Sequence, residues 1–492
     1  MRFILALTVL CFVNVTLAAD RPNLVVFISD DVSWNDHGCY GNPAARTPNI
    51  DRLASNGRRF NNAYQTASSC SPSRSSIITG RYPHNNGKAA ELHLPISGHL
   101  PWFPELLRTA GYYTALSGKN HMSKSGAKVS AWDFESKGTG RKPNNSGGHG
   151  DWVSVVENRP REKPFFFWFA STDAHRGWNG DSEWDDAAYG PKHRPEDVIV
   201  SPFLVDDLAT RNDLASYYNE VTRFDHFIGR VESALKSQGV WDNTLVLILS
   251  DNGRPFNRAK TRLHDSGMKT ALIAHWPAGI VSAGQDTDSL VSVIDIAPTL
   301  LEIAGVRTLE TMQGISFVGI LKDASTATRQ WAFSEHNWHD YQAHGRAIRG
   351  GGFLLIKNFR PYFSQPGPAD ALRSPTYDAL KVARDANRLT PAQADVFLAP
   401  RPVIELYDAR KDPNQLTNLA GNPDYANRQQ QLTALLDRWM DETKDSVPKR
   451  ISQDRFDKET GAVLPPEQRE GYRGTTPGED RGADRSNEKG PH

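Results

Sequence analysis

Four short apolar runs, each breaking abruptly into polar, chemically capable residues, constrain this chain more than any other feature. Residues 24–28 end in Ser29-Asp30-Asp31, and residues 112–116 lead into Gly118-Lys119-Asn120-His121. Residues 165–170 run into Ser171-Thr172-Asp173-Ala174-His175-Arg176, and residues 245–249 into Ser250-Asp251-Asn252. Apolar runs of this length read as strands buried on both faces. Helical patterns lie between them, over Pro48–Ser55 and over residues 103–110, 214–238 and 291–304, the last stopped by Gly305. Strands alternating with helices predict an α/β fold, a large, mostly parallel sheet sandwiched by helices. Ligands of such sheets bind beyond the carboxyl ends of the strands. Four strands ending in charged or imidazole groups therefore point to one shared site.

After about residue 325 the rhythm changes to strands at 330–334, 347–357 and 403–407 and a helix at 424–442, a smaller C-terminal α+β subdomain. The remainder is rich in Gly, Pro and charge, so residues 446–492 are expected to form an extended wrap that ends in disorder. At the other end Arg2 precedes an apolar run over 3–13, and Ala18-Ala19 precedes Asp20. That pattern predicts a secretory signal peptide over residues 1–19. The expected organisation is then a catalytic domain over 20–325, a subdomain over 326–445 and a tail over 446–492.

No stretch after Asp20 has the roughly 18 uncharged apolar residues of a membrane span. Lys plus Arg and Asp plus Glu both number 57, so no global field favours nucleic acid or a membrane as partner. The protein is expected to be exported, to a periplasm, the exterior or a lysosome-like compartment. The one glycosylation sequon beyond residue 19, Asn144-Asn145-Ser146, favours a bacterial periplasm among these. Of three cysteines Cys11 leaves with the signal peptide, and Cys39 and Cys70 cannot build a disulfide framework. A single Cys39–Cys70 bridge is the bland alternative to a chemical role for Cys70.

Asp30 and Asp31 at one strand end, with Asp251 and Asn252 at another, offer only oxygen donors. Hard donors suit Ca²⁺, with Mg²⁺ as the alternative, rather than zinc. A lone Asp-Asp pair is more often a helix cap or a solvated turn; two such pairs at the ends of apolar strands reverse those odds. The most specific segment is Ser69-Cys70-Ser71-Pro72-Ser73-Arg74-Ser75-Ser76-Ile77-Ile78-Thr79-Gly80. Pro72 fits a first helical turn and Gly80 closes a short helix. Cys70 then stands at a helix N-terminus beside Arg74, where an anion is favoured. Left unmodified it would be a thiolate nucleophile, a soft group poorly matched to an oxygen-ligated cation.

Cys70-x-Pro72-x-Arg74 followed by Thr79-Gly80-Arg81 resembles the signature of type I sulfatases, in which this cysteine is oxidised to formylglycine. Arg21-Pro22-Asn23, Asp30-Asp31, Thr47-Pro48-Asn49-Ile50-Asp51-Arg52-Leu53, Gly118-Lys119-Asn120-His121, Asp251-Asn252-Gly253 and Glu405-Leu406-Tyr407-Asp408 also recur in that family. The resemblance covers roughly residues 20–445. Within the family the chain most resembles the sulfamidases, the heparan N-sulfatases. Ser68-Ser69-Cys70, Asp173-Ala174-His175-Arg176, Ser250-Asp251-Asn252-Gly253-Arg254-Pro255-Phe256 and Ser374-Pro375-Thr376-Tyr377 carry that likeness. Two positions depart from it: Lys260, where sulfamidases tend to carry arginine and many O-sulfatases lysine, and His264, where an aromatic residue is usual.

The resemblance implies an alkaline-phosphatase-like sulfatase fold and a sulfohydrolase acting on sulfated carbohydrate, above all N-sulfoglucosamine of heparan-type glycans. A formylglycine-generating enzyme would be its maturation partner. It further implies Ca²⁺ held by Asp30, Asp31, Asp251 and Asn252, with the modified Cys70 as a further ligand. One geminal hydroxyl of hydrated formylglycine would attack sulfur while Arg74, Lys119 and Lys260 hold the sulfate oxygens. His175 would protonate the leaving atom and His121 would deprotonate the second hydroxyl to expel sulfate. Arg176, His336, His339 and Arg346 are the candidate substrate contacts. His37, His84, His93, His99 and His226 have no comparable context and read as structural or solvated. A carbohydrate O-sulfatase or arylsulfatase, a phosphatase or phosphodiesterase of the same superfamily, and a non-catalytic glycan-binding relative stay open as alternatives, as does an oligomeric state.

Overall fold

A computed structural model describes residues 21–127, 129–136, 146–469 and 471–492. The signal peptide expected over 1–19, together with Asn144 and Asn145 of the sequon, lies outside the described residues. Among the described residues no helix is long and apolar enough to cross a membrane.

The four apolar runs are four neighbouring strands of one sheet. Its members are β1 (Asn23–Ser29), β2 (Arg58–Tyr64), β3 (Tyr113–Gly118), β4 (Phe134–Ser136), β5 (Phe165–Ala170), β6 (Thr244–Ser250), β7 (Leu272–His275) and β8 (Gln285–Ser292), ordered β4-β3-β5-β1-β6-β7-β2-β8. β3, β5, β1 and β6 run parallel, so their carboxyl ends come out side by side. β7 is antiparallel to both neighbours, which makes the sheet mixed rather than wholly parallel.

β1 shows why these runs are unbroken. Leu24, Val26 and Ile28 pack on one face against Ile77, Phe103, Leu107 and Leu300. Val25 and Phe27 pack on the other against Ile50, Trp152, Phe224 and Ile228. With helices on both faces neither register can be polar.

Two elements differ from the periodicity. The helix expected over 291–304 is divided, because Val291 and Ser292 end β8 and a Ser292–Asp295 capping box turns the chain before the helix Ile296–Ile303. β2 gives no apolar signal: its Arg58 is buried by bonding the carbonyls of Val281 and Gln285 through its guanidinium at 2.8 and 2.9 Å.

The second, antiparallel sheet contains β9 (Ala332–His336), β10 (Gly345–Gly350), β11 (Phe353–Asn358) and β12 (Ile404–Asp408), ordered β12-β11-β10-β9. The run at 347–357 folds back on itself at Gly351-Gly352, whose φ values of +59° and +80° suit glycine. Leu432, Leu436 and Trp439 of the helix Ala426–Glu442 pack on this sheet.

The disorder expected at the end of the tail is corrected. Residues 471–492 dock on the domain, with Ala483 buried and the carbonyls of Ala483, Ser486 and Glu488 accepting hydrogen bonds from Asn85, Arg81 and Gln313. The tail is held through its backbone by buried polar side chains of the main body, so its lack of apolar residues does not free it.

Candidate active site

Asp30, Asp31, Asp251 and Asn252 arrive at the exits of β1 and β6, and all four are buried. Asp31 leaves β1 at φ +61°, a left-handed conformation that aspartate tolerates better than most residues, and its N–H donates to Asp251 Oδ1 at 3.1 Å. The exit of β3 depends on Gly118: at φ +102° an added Cβ would lie 1.8 Å from the Ala170 carbonyl oxygen. Only glycine permits the turn in which the Lys119 N–H bonds that carbonyl at 2.8 Å and the Lys119 side chain swings to Asp30.

Cys70 opens the helix Cys70–Thr79, every residue of which is buried, and Gly80 ends it in the left-handed region. The thiol lies 3.6 Å from Asp30 Oδ1 and 3.6 Å from Asp31 Oδ1. Cys39 and Cys70 are both free, so the alternative bridge does not form. One ligand atom each from Asp30, Asp31, Cys70 and Asp251 falls within 4.8 Å of the others, close enough to share a metal ion.

Each carboxylate carries a cation. Lys119 bonds Asp30, Lys260 bonds Asp31 at 2.6 Å, and Arg74 Nε bonds Asp251 at 2.8 Å. Three positive and three negative groups thus balance in a site whose carboxylates are buried and whose Lys119 edge is partly exposed. Burial pulls the Lys260 ammonium down, but Asp31 outweighs it and holds the group well above the usual lysine range. The Cys70 thiol is pushed well above its usual range by burial, against the pull of Lys119 and Lys260, so the unmodified side chain is a thiol and not a thiolate at neutral pH.

His175 stands at the exit of β5, with Nδ1 3.2 Å from the Arg176 carbonyl and Nε2 4.0 Å from Asp31 Oδ2. His121 is held far below the ordinary imidazole range by burial and then by Lys119, and its Nδ1 has no hydrogen-bond partner. The proposed metal, nucleophile and proton-transfer residues thus occupy one locality.

The four candidate substrate contacts are placed differently. Arg176 is spent on a bidentate pair with Asp213 at 2.9 Å and on stacking over Trp178 and Phe256. Arg346 is fully buried and bonds Asp445 at 2.5 and 2.9 Å, away from the carboxylate cluster. His336 lies among Arg262, Arg346 and Arg401. His339 approaches the site, its Nδ1 2.7 Å from the Ser69 hydroxyl beside Cys70. His264 pairs with Glu405 at 3.5 Å, behind the site.

Sequence reasoning missed two groups. His93 lies against the His121 ring at 4.7 Å between centroids, and its backbone N–H donates to the Ser71 hydroxyl at 2.7 Å. The Asp370 carboxylate is 3.6 Å from His175 Nε2. Both stand in loops without periodicity, and the faint signal at Asp370 is its placing as an N-cap before Ala371.

The profile of the sulfatase family matches residues 22–146 and 150–306, and that of the N-sulphoglucosamine sulphohydrolase C-terminal region matches residues 257–361. N-sulphoglucosamine sulphohydrolase of Homo sapiens is 30% identical over 473 residues, covering 87% of this chain and 92% of that protein. An ulvan-active sulfatase of Formosa agariphila is 29% identical over 471 residues, 86% of this chain and 75% of that protein. Among solved structures, one in complex with its substrate D-glucosamine-2-N,6-O-disulfate superposes with a TM-score of 0.63 at 21% identity, covering 86% of this chain and 98% of the other. A 2-O GAG sulfatase does so with a TM-score of 0.64 at 20% identity, over 86% and 92%. Since the family profile takes in more than half of the chain, the strand exits of β1, β3, β5 and β6 among it, the chain belongs to the sulfatase family and acts as a sulfatase, with a C-terminal region of the N-sulphoglucosamine sulphohydrolase type.

Proposed function

We propose that the enzyme removes sulfate from N-sulfated glucosamine at the non-reducing end of heparan-type chains, with formylglycine at position 70 and a calcium ion beside it. The observation that carries the N-sulfate assignment is the C-terminal profile match over 257–361, which takes in Lys260 and His339. The human relative, named for the same substrate, supports it over 87% of the chain. The predicted signal peptide adds that the enzyme works outside the cytosol.

The donor set fits a hard divalent ion. Asp30, Asp31, Asp251 and Asn252 present oxygen, and the buried Asn252 Oδ1 has no hydrogen-bond partner. Bound there, calcium supplies Lewis acidity and formylglycine supplies, as its hydrate, a hydroxyl nucleophile. With their carboxylates engaged by the ion, Arg74, Lys119 and Lys260 would be free to offset the charge on the sulfate oxygens. His175 delivers a proton from Nε2 to the leaving nitrogen. His121, held neutral by its surroundings, takes a proton from the hydroxyl at position 70.

Two measurements test this. Sulfate release from a panel of N-, 2-O-, 3-O- and 6-O-sulfated glucosamines should be fastest with the N-sulfated member; release from an O-sulfated member with none from the N-sulfate moves the enzyme to the O-sulfatases. Metal analysis should find about one calcium per chain, and calorimetry should show Asp251→Ala binding it roughly tenfold or more weakly. Two zinc ions per chain, with turnover of phosphate esters, would instead favour the phosphatase alternative.

A further inference from the structure

Asp370 lies some 120 residues beyond the last catalytic strand and caps the short helix Ala371–Arg373, its Oδ1 accepting the Ala371 N–H at 2.8 Å. That bond fixes the side chain and leaves Oδ2 turned toward the active site, 3.6 Å from His175 Nε2. The same Nε2 is 4.0 Å from Asp31, so one imidazole edge faces a carboxylate of the metal cluster and a carboxylate outside it. A cleft of about 660 Å³, walled by Arg176, Trp178, Asp213 and Arg373, opens onto Asp370 from the other side. The Arg176–Asp213 pair is internally neutral, Trp178 gives a flat apolar wall and Arg373 bonds the Gly461 carbonyl, so Asp370 is the acidic group at the junction of cleft and catalytic centre, with Lys260 and His175 on its catalytic side.

A carboxylate here is costly for a site whose purpose is to hold an anion. It repels sulfate unless the substrate offers it a hydrogen. The leaving atom must come within about 3 Å of His175 Nε2 to take its proton, and Asp370 Oδ2 lies 3.6 Å from that nitrogen. A leaving atom that approaches Nε2 from the Asp370 side brings the hydrogen it carries within hydrogen-bond reach of Oδ2. The bridging oxygen of a sulfate ester has none, whereas a sulfamate nitrogen has one.

We propose that Asp370 accepts the N–H of the scissile sulfamate and so selects N-sulfated over O-sulfated sugars. This role rests on the N-sulfate reading above. As the hydroxyl oxygen at position 70 bonds sulfur and takes the sulfuryl group, the S–N bond breaks and its electron pair stays on nitrogen, which takes the His175 proton and becomes an amine. Asp370 then faces an amine that protonates to ammonium in neutral water, and it stabilises that product where a neutral sugar alcohol would gain little. Lys260, a lysine as in many O-sulfatases, is not the determinant: its ammonium serves the sulfate oxygens, which a sulfamate and a sulfate ester share.

The test uses full-length enzyme co-expressed with a formylglycine-generating enzyme. Asp370→Asn keeps an oxygen to cap the Ala371 N–H, so the melting temperature should stay within about 1 °C. Its kcat/KM for N-sulfoglucosamine should fall about 30-fold or more, the size of a charge-assisted hydrogen bond made in the transition state, while an aryl sulfate should lose no more than about threefold. Product inhibition by glucosamine should weaken in parallel. An equal loss on both substrates, or none on either, overturns the role of Asp370. Wild-type enzyme that releases sulfate only from O-sulfated sugars overturns the substrate assignment and this selection with it; wild-type turnover of the N-sulfate with Asp370→Asn unchanged overturns the selection alone.

Discussion

Cys70→Ala is expected to lose sulfate release by about 10⁵-fold or more while folding normally. The thiol is buried and packs against Leu92 and Trp338, so removing one sulfur atom leaves a small void costing about 1 kcal/mol. The helix it opens is held elsewhere, by Ser73 N–H on the Ser69 carbonyl at 2.9 Å and by the Gly80 cap. Activity falls because nothing replaces the nucleophile: Ser71 and Ser73 are buried, with Ser71 Oγ accepting the His93 backbone N–H and Ser73 Oγ donating to Gln65 at 2.7 Å. Cys70→Ser should release no sulfate and at most one equivalent of desulfated sugar, since the sulfate stays on a serine that has no second hydroxyl from which His121 can take a proton. Wild-type chain from cells without a formylglycine-generating enzyme should be folded and inactive, because burial keeps its unoxidised thiol protonated at neutral pH. Circular dichroism, sulfate assay and the mass of the Cys70 peptide check all three. Turnover by Cys70→Ala within about tenfold of wild type would remove Cys70 from the mechanism.

How far this site was legible from sequence follows from what each residue does. A strand covered on both faces must be an unbroken apolar run, and its exit must break that run. Asp30, Lys119, His175 and Asp251 are therefore marked by position, and the adjacency of β3, β5, β1 and β6 gathers them. Cys70 and Lys260 have no such mark and were reached through motif and family likeness. The arginines could not be sorted, because whether a guanidinium is free depends on a carboxylate far along the chain. Arg176 meets Asp213 and Arg346 meets Asp445, and neither pairing leaves a trace in local composition. Asp370 faces the site only because the loop carrying it returns to His175, beyond the exit of β5. The polar strands were hidden for a related reason. β2 places Arg58 in the interior against backbone carbonyls, and β8 lies at the sheet edge with Gln285, Asp286 and Asp288 exposed, so neither follows the apolar pattern that marks the centre of the sheet.

Truncation after Gly474 should give the largest loss of stability among the changes considered, although the tail looks dispensable by composition. Arg81 is wholly buried, and burial draws its guanidinium down to about 10 against the pull of Asp484. Its acceptors come largely from the tail: the Ser486 carbonyl at 2.7 Å, Asn487 Oδ1 at 3.0 Å and the Asp484 carbonyl at 3.3 Å. Asn85 and Gln313 each donate to a tail carbonyl as well, those of Ala483 at 2.5 Å and Glu488 at 2.8 Å. Gly490 lies so close to Trp439 that an added Cβ would sit 2.5 Å from the indole, so the tail also covers an aromatic side chain that packs on the second sheet. Water would reach these groups once the tail is gone, so the loss is the net value of each bond and not a full desolvation penalty. At about 1 kcal/mol apiece the sum is on the order of 5 kcal/mol, which for a chain of this size lowers the melting temperature by about 5–10 °C. Activity at 25 °C should largely survive, because the cut spares Arg473, which stacks over Trp338 at 3.4 Å and bonds the Leu92 carbonyl at 2.9 Å beside Cys70. Arg473→Ala in the full-length chain should do the reverse, lowering turnover with a smaller thermal shift, because it loosens Trp338 while leaving Arg81 bonded. Differential scanning calorimetry and sulfate assay on the two variants separate these effects. A truncated protein melting within about 1 °C of wild type would mean that the tail is undocked in solution.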